Sequence, residues 1–67
     1  MKKITKKEIK VLEELIQGKT NIEISEELGY SEVYIKKMLQ TLRKKFNVNN
    51  RVKLVVAYLY IKFNNFL

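Results

Sequence analysis

Between Glu32 and Lys45 the chain reads EVYIKKMLQTLRKK, a stretch rich in hydrogen-bond donors. At helical spacing Ile35, Leu39, Leu42 and Phe46 fall on one side, with Met38 beside them. Val33, Lys36, Lys37, Gln40 and Lys44 fall on the other. The chemistry of that second side is donation to a polyanion. A lysine ammonium can donate to O6 or N7 of guanine, and a glutamine carboxamide can pair with the adenine edge. Arg43, Lys44 and Lys45 near the end of the stretch suit phosphate contacts, as does the Tyr34 hydroxyl. Glu32 has two readings, an acceptor for cytosine N4 or a carboxylate placed for the helix dipole. Lys36 and Lys37 could also be no more than solvated lysines, a weaker reading given the opposite-face geometry.

Other chemistries lack their residues. The chain has no Cys and no His, so disulfides, thiolate metal sites and imidazole catalysis are excluded. No clustered carboxylate pair offers acid–base work, and an enzyme is not expected. No cofactor or metal is implied. The 67 residues carry a net charge of +7, unevenly distributed. Residues 1–32 hold six lysines and all seven glutamates, and sum to −1. From Val33 onward come eight Lys or Arg and no acid, for +8. This asymmetry points to nucleic acid or an anionic membrane surface, against a plain solvated basic face. MKKITKKE has no signal-peptide core behind it, and the apolar run from Leu54 to Ile61 is too short to span a membrane. A soluble, cytoplasmic protein is expected, with no membrane partner.

The length fits one small all-α domain over residues 1–67, a compact bundle of four short helices. With so little to bury, oligomerisation is the common remaining way to add stability. The first helix opens with a capping box, Thr5 and Glu8, and Ile4 can staple onto Ile9. Its expected stripe is Ile9, Leu12, Leu15 and Ile16, and Gly18 supplies a left-handed stop. Thr20 and Glu23 form a second box, Ile24 and Leu28 face inward, and Gly29 ends the second helix. Ser31 caps the third helix, from about Glu32 to Phe46. Asn47-Val48-Asn49-Asn50 is a polar break with one apolar anchor, and a fourth helix runs from about Arg51 to Phe63.

The second and third helices have the spacing of a helix-turn-helix over about residues 20–46. Ser25 is the small residue at the crossing and Gly29 the turn. Ile24, Leu28, Tyr30, Ile35 and Met38 clamp the pair. In such a unit the helix 32–46 would lie in the major groove. Thr20 and Asn21, opening the preceding helix, would meet the DNA backbone, or serve as caps alone.

These residues resemble the LuxR-type (GerE-like) DNA-binding domain over about Ile4 to Ala57. Ile4-Thr5-Lys6-Lys7-Glu8 with Val11-Leu12 matches its opening signature. Gly18-Lys19-Thr20-Asn21-Ile22-Glu23-Ile24-Ser25 matches its central element, and Ser31, Ile35 and Lys36 match part of the next. Lys45-Phe46-Asn47-Val48-Asn49-Asn50-Arg51 matches its closing element. Tyr34 stands where the family favours Thr, Met38 where it favours His, and Lys10 where Glu is usual. The resemblance implies a tetrahelical fold, transcriptional regulation, base contacts from Lys36, Lys37 and Gln40, and homodimerisation through the last helix. With only Lys2-Lys3 between Met1 and the domain, the chain resembles the free-standing members.

The fourth helix supports a dimer independently, because it carries two opposed apolar stripes. Leu54, Ala57, Tyr58 and Ile61 form one; Val52, Val56, Leu59, Tyr60 and Phe63 form the other. One packs on the core, and the second needs a partner unless Phe63 to Leu67 folds back over it. The expectation is a sequence-specific regulator that binds double-stranded DNA as a homodimer. The rivals are a module like sigma-factor region 4, acting on RNA polymerase, and an adaptor that pairs with another regulator through helix four.

Overall fold

In the computed structural model residues 3–64 are described, and they form α1 (Lys6–Leu15), α2 (Asn21–Leu28), α3 (Glu32–Lys45) and α4 (Arg51–Phe63). Each helix starts where a short polar side chain can satisfy a free backbone N–H. The Thr5 hydroxyl accepts from the Glu8 N–H at 3.1 Å, and the Glu8 carboxylate accepts from the Thr5 N–H at 2.8 Å. Thr20 and Glu23 repeat this box at 3.2 and 2.8 Å. Ser31 caps α3 through the Tyr34 N–H at 3.1 Å. Asn50 caps α4 through the Lys53 N–H at 2.8 Å, a role the polar break had concealed.

The first three helices stop by left-handed turns, at Gly18, Gly29 and Asn47. Gly29 takes φ +77°, and both its own N–H and that of Tyr30 reach the Ser25 carbonyl. At the end of α3 the left-handed residue is Asn47, at φ +55°. The Val48 N–H donates to Arg43 O at 2.9 Å and the Asn47 N–H to Lys44 O at 3.1 Å, the paired bonds of a Schellman motif. The turn thereby swings Val48 onto the core, so the apolar anchor has a mechanism.

All four helices contribute to one core: Val11, Leu12, Leu15, Ile24, Ile35, Leu39, Leu42, Leu54, Tyr58 and Ile61. Two details of the expected stripes change. Val11 is fully buried, whereas Ile9 is half-buried and outside the core. The reason is the rotation of α1, which turns the Glu8–Val11–Leu12–Leu15 line inward to meet α3 and α4. On α4, Val55 packs against the core and Ala57 is only half-buried. Ser25 is 7% exposed, and its hydroxyl donates to the Ile22 carbonyl at 2.7 Å. A small, self-satisfied side chain thus stands within the helix-turn-helix without an orphaned polar group.

Three long-range polar joints fix the helices relative to one another. Lys45 donates to both Glu8 carboxylate oxygens at 2.8 and 2.9 Å, and to the Lys3 carbonyl at 3.1 Å. Glu13 accepts from the Tyr58 hydroxyl at 2.5 Å and from Lys62 at 2.8 Å, which ties α4 to α1. Arg51 donates to the Asn21 side-chain oxygen at 2.6 Å and the Lys19 carbonyl at 2.8 Å, which ties the start of α4 to that of α2. Lys19 in turn pairs with Glu14.

Candidate nucleic-acid interface

The helical rotation that sends Ile35, Leu39 and Leu42 into the core leaves Val33, Lys36, Lys37, Gln40 and Lys44 exposed. Asn21, Val33, Lys36, Lys37, Leu39, Gln40, Arg43 and Arg51 line a single surface groove of about 420 Å³. The three residues expected at base edges therefore share one concavity with Arg43, Arg51 and the amide of Asn21. Among the described residues no carboxylate lies in ion-pair range of Lys37, Arg43 or Lys44. Lys36 has only a loose neighbour, the Glu32 carboxylate at 4.0 Å, and its side chain is 62% exposed. A surface pair of that kind holds little energy and is readily exchanged.

Glu32 sits in the first turn of α3, where its charge complements the helix dipole. It also lines a second cleft of about 390 Å³ with Gly18, Lys19, Thr20, Asn21, Ile22 and Arg51. The two clefts share Asn21 and Arg51 as lining residues at the starts of α2 and α4. Thr20 and Asn21 lie on that rim. Each also has an internal duty: Thr20 caps α2, and the Asn21 oxygen accepts from Arg51. Tyr34 is 37% exposed, with its ring 4.8 Å from that of Tyr30 at a tilt of 55°. The contact steadies the phenol in the first turn of α3, although Tyr34 lines neither cleft.

Lys45 departs from the expected set. Its side chain is 16% exposed and its ammonium pairs with Glu8, whose side chain is 7% exposed, so it belongs to the seam with α1 and not to the groove. Burial pushes the Glu8 carboxyl up, but bonds from Lys45 and the Thr5 backbone outweigh it and hold the carboxyl below its usual range. At Glu13, Lys62 and then Tyr58 lower the carboxyl against burial. The same contact, together with burial as the larger cause, pushes the Tyr58 phenol far up. These groups stay charged or protonated as the fold needs them near neutral pH.

From the sequence alone Arg51 is only the last residue of the closing family element. Burial, and then the nearby charge of Arg43, disfavour its charged form, yet a guanidinium remains protonated. Two cations thus share one groove wall. The signal that could have found it is Asn50-Arg51 at the start of α4, but its partner lies 30 residues away.

On α4 the second stripe stays at the surface. Val52 is 71% exposed, Val56 60%, Tyr60 63% and Phe63 76%, while Leu59 is half-buried. The fold-back considered for Phe63 to Leu67 rests on residues beyond Asn64, which lie outside the described residues. No helix among the described residues is long and apolar enough to cross a membrane.

Comparison with known proteins bears on the same elements. Residues 2–58 match the family described as bacterial regulatory proteins, luxR family. The chain is 38% identical over 56 residues to the nitrate/nitrite response regulator protein NarP of Escherichia coli strain K12, covering 84% of this chain and 26% of that protein. It is 31% identical over 64 residues to a glycerol metabolism activator of Pseudomonas putida, covering 96% of this chain and 29% of that protein. The chain thus spans little more than a quarter of either relative's length. With four helices, a helix-turn-helix and a match over most of its length, the chain belongs to the luxR family of bacterial regulatory proteins.

Proposed function

We propose that this domain regulates transcription by binding double-stranded DNA sequence-specifically, with α3 in the major groove. The observation that carries this reading is the groove in which Lys36, Lys37, Gln40 and Arg43 converge with Asn21 and Arg51. Lys36, Lys37 and Gln40 would contact base edges, and Thr20, Asn21, Tyr34, Arg43 and Lys44 the phosphates. Lys45 would act only indirectly, by fixing the far end of α3. Arg43 and Arg51 line the same groove and their like charges disfavour each other, which a phosphate bound there would relieve.

The exposed stripe of α4 supports a homodimer through Val52, Val56, Leu59 and Phe63, with Tyr60 at its side. A two-fold pair of domains would set two α3 helices about one DNA turn apart, ~34 Å. That spacing suits a domain measuring 29 × 20 × 19 Å. Neither apolar stripe then remains in water.

The test is selection of bound duplexes from a random pool by the 67-residue chain, read with sedimentation of the free protein. Enrichment of an inverted repeat and a dimer in solution are expected. No enrichment would overturn the reading in favour of a module that acts on RNA polymerase or on another regulator.

A further inference from the structure

The groove on α3 contains one apolar side chain that neither the core nor the donor set accounts for. Val33 is 61% exposed, at the second position of α3, and lines the groove beside Lys36, Lys37 and Gln40. It lies three and four residues before the two lysines, hence on their face of the helix. Valine forms helices poorly, and at this exposure it gains little from burial. Its two methyls are held in one χ1 setting on a helix, so they present a fixed apolar surface among mobile ammonium groups. In the major groove the one apolar group on any base edge is the C5 methyl of thymine. Residues in the first turn of a recognition helix are those that reach the base edges most directly.

We infer that Val33 determines specificity by packing on a thymine C5 methyl, next to the bases met by Lys36 and Lys37. The inference rests on the DNA-binding reading above. It adds a contact that no hydrogen-bond donor can make: ammonium groups see only acceptors, so they do not sense whether the methyl is present. Val33 would distinguish thymine from uracil and from cytosine at that position. Loss of one methyl contact corresponds to about a fourfold loss of affinity.

The experiment uses the inverted-repeat duplex selected by the full chain, with each thymine replaced in turn by deoxyuridine, which pairs identically but lacks the methyl. One symmetric position should lose about fourfold in affinity for the wild-type chain, and the rest should be nearly silent. Val33→Ala should bind the unmodified duplex about fourfold less tightly and lose its sensitivity at that position alone. Equal binding of every uracil duplex by the wild type would overturn the assignment to Val33 while leaving DNA binding intact. So would a Val33→Ala chain that keeps the same uracil penalty. A chain that enriches no duplex would overturn the DNA reading and this inference together. Circular dichroism of Val33→Ala separates a folding defect from either outcome, and an exposed valine is not expected to cause one.

Discussion

The seam where α3 and α4 close on α1 and the groove on the outer side of α3 are built from the same kinds of side chain. They differ in whether a carboxylate stands opposite. In the seam Lys45 meets Glu8 and Lys62 meets Glu13, with bonds of 2.8 to 2.9 Å and, for the first pair, a buried carboxylate. In the groove Lys37 and Arg43 have no carboxylate in range among the described residues, and Lys36 has one at 4.0 Å. Lys44 and Lys45 make the contrast sharpest, because one peptide bond separates a solvent-facing cation from a half-buried one paired with Glu8. Successive helical residues are about 100° apart, so neighbours on α3 serve different surfaces. Basic composition alone is therefore a poor measure of the charge available to a polyanion.

The largest effect is expected at the seam. Lys45→Met leaves the Glu8 carboxylate buried without its cation, and a loss of about 3 kcal/mol is expected, near the lower limit for a broken buried pair. In thermal melting that is a fall of more than about 10 °C for a domain of this size. An unchanged melting temperature would show that the pair contributes nothing. The pair also sets an acid limit. Because Glu8 is held below its ordinary value of 4.5, its contribution is complete above that pH and is lost as pH falls through the lower folded value. Glu13 acts in the same sense. Denaturant titrations should show stability declining below about pH 4.5, with a shallower decline in Lys45→Met.

A second break separates the two faces of α4. Val56→Lys places a charge in the exposed stripe while leaving the packed residues Leu54, Tyr58 and Ile61 untouched. The helical signal should persist, and the dimer should dissociate with a loss of about 2 kcal/mol or more from desolvating the ammonium. A dimer that survives would move the interface elsewhere.

On the groove side, Lys36→Ala should cost about 1–3 kcal/mol of discrimination at one base position and leave the melting temperature nearly unchanged. The smallest effect distinguishes the neighbouring lysines. Lys44→Ala should lower the slope of log affinity against log salt by roughly 0.9, the signature of one lost phosphate contact. A Lys45 variant that remains folded should keep the wild-type slope. Equal slopes for Lys44→Ala and wild type would place Lys44 outside the contact.

Much of the fold was legible because helix ends are local. Both capping boxes, the Ser31 cap and the Gly18 and Gly29 turns rest on groups within five residues of each other. The outward residues of α3 were legible for the same reason, since periodicity alone separates Lys36, Lys37 and Gln40 from Ile35, Leu39 and Leu42. The seam was not legible. Periodicity gives each helix an apolar side, but not the rotation that replaced Ile9 by Val11 in the core or turned Glu8 inward.

Four helices, their ends, an asymmetric charge and a donor-rich face are written in the order of residues, since all of these follow from composition and from spacing within a turn or two. Tertiary structure decided which chemically identical groups remain available to a partner. Lys45 meets Glu8 across 37 residues, Arg51 meets Asn21 across 30, and Lys62 meets Glu13 across 49. The energy of such a pairing depends on the distance and burial reached when helices pack, and a one-dimensional pattern contains neither.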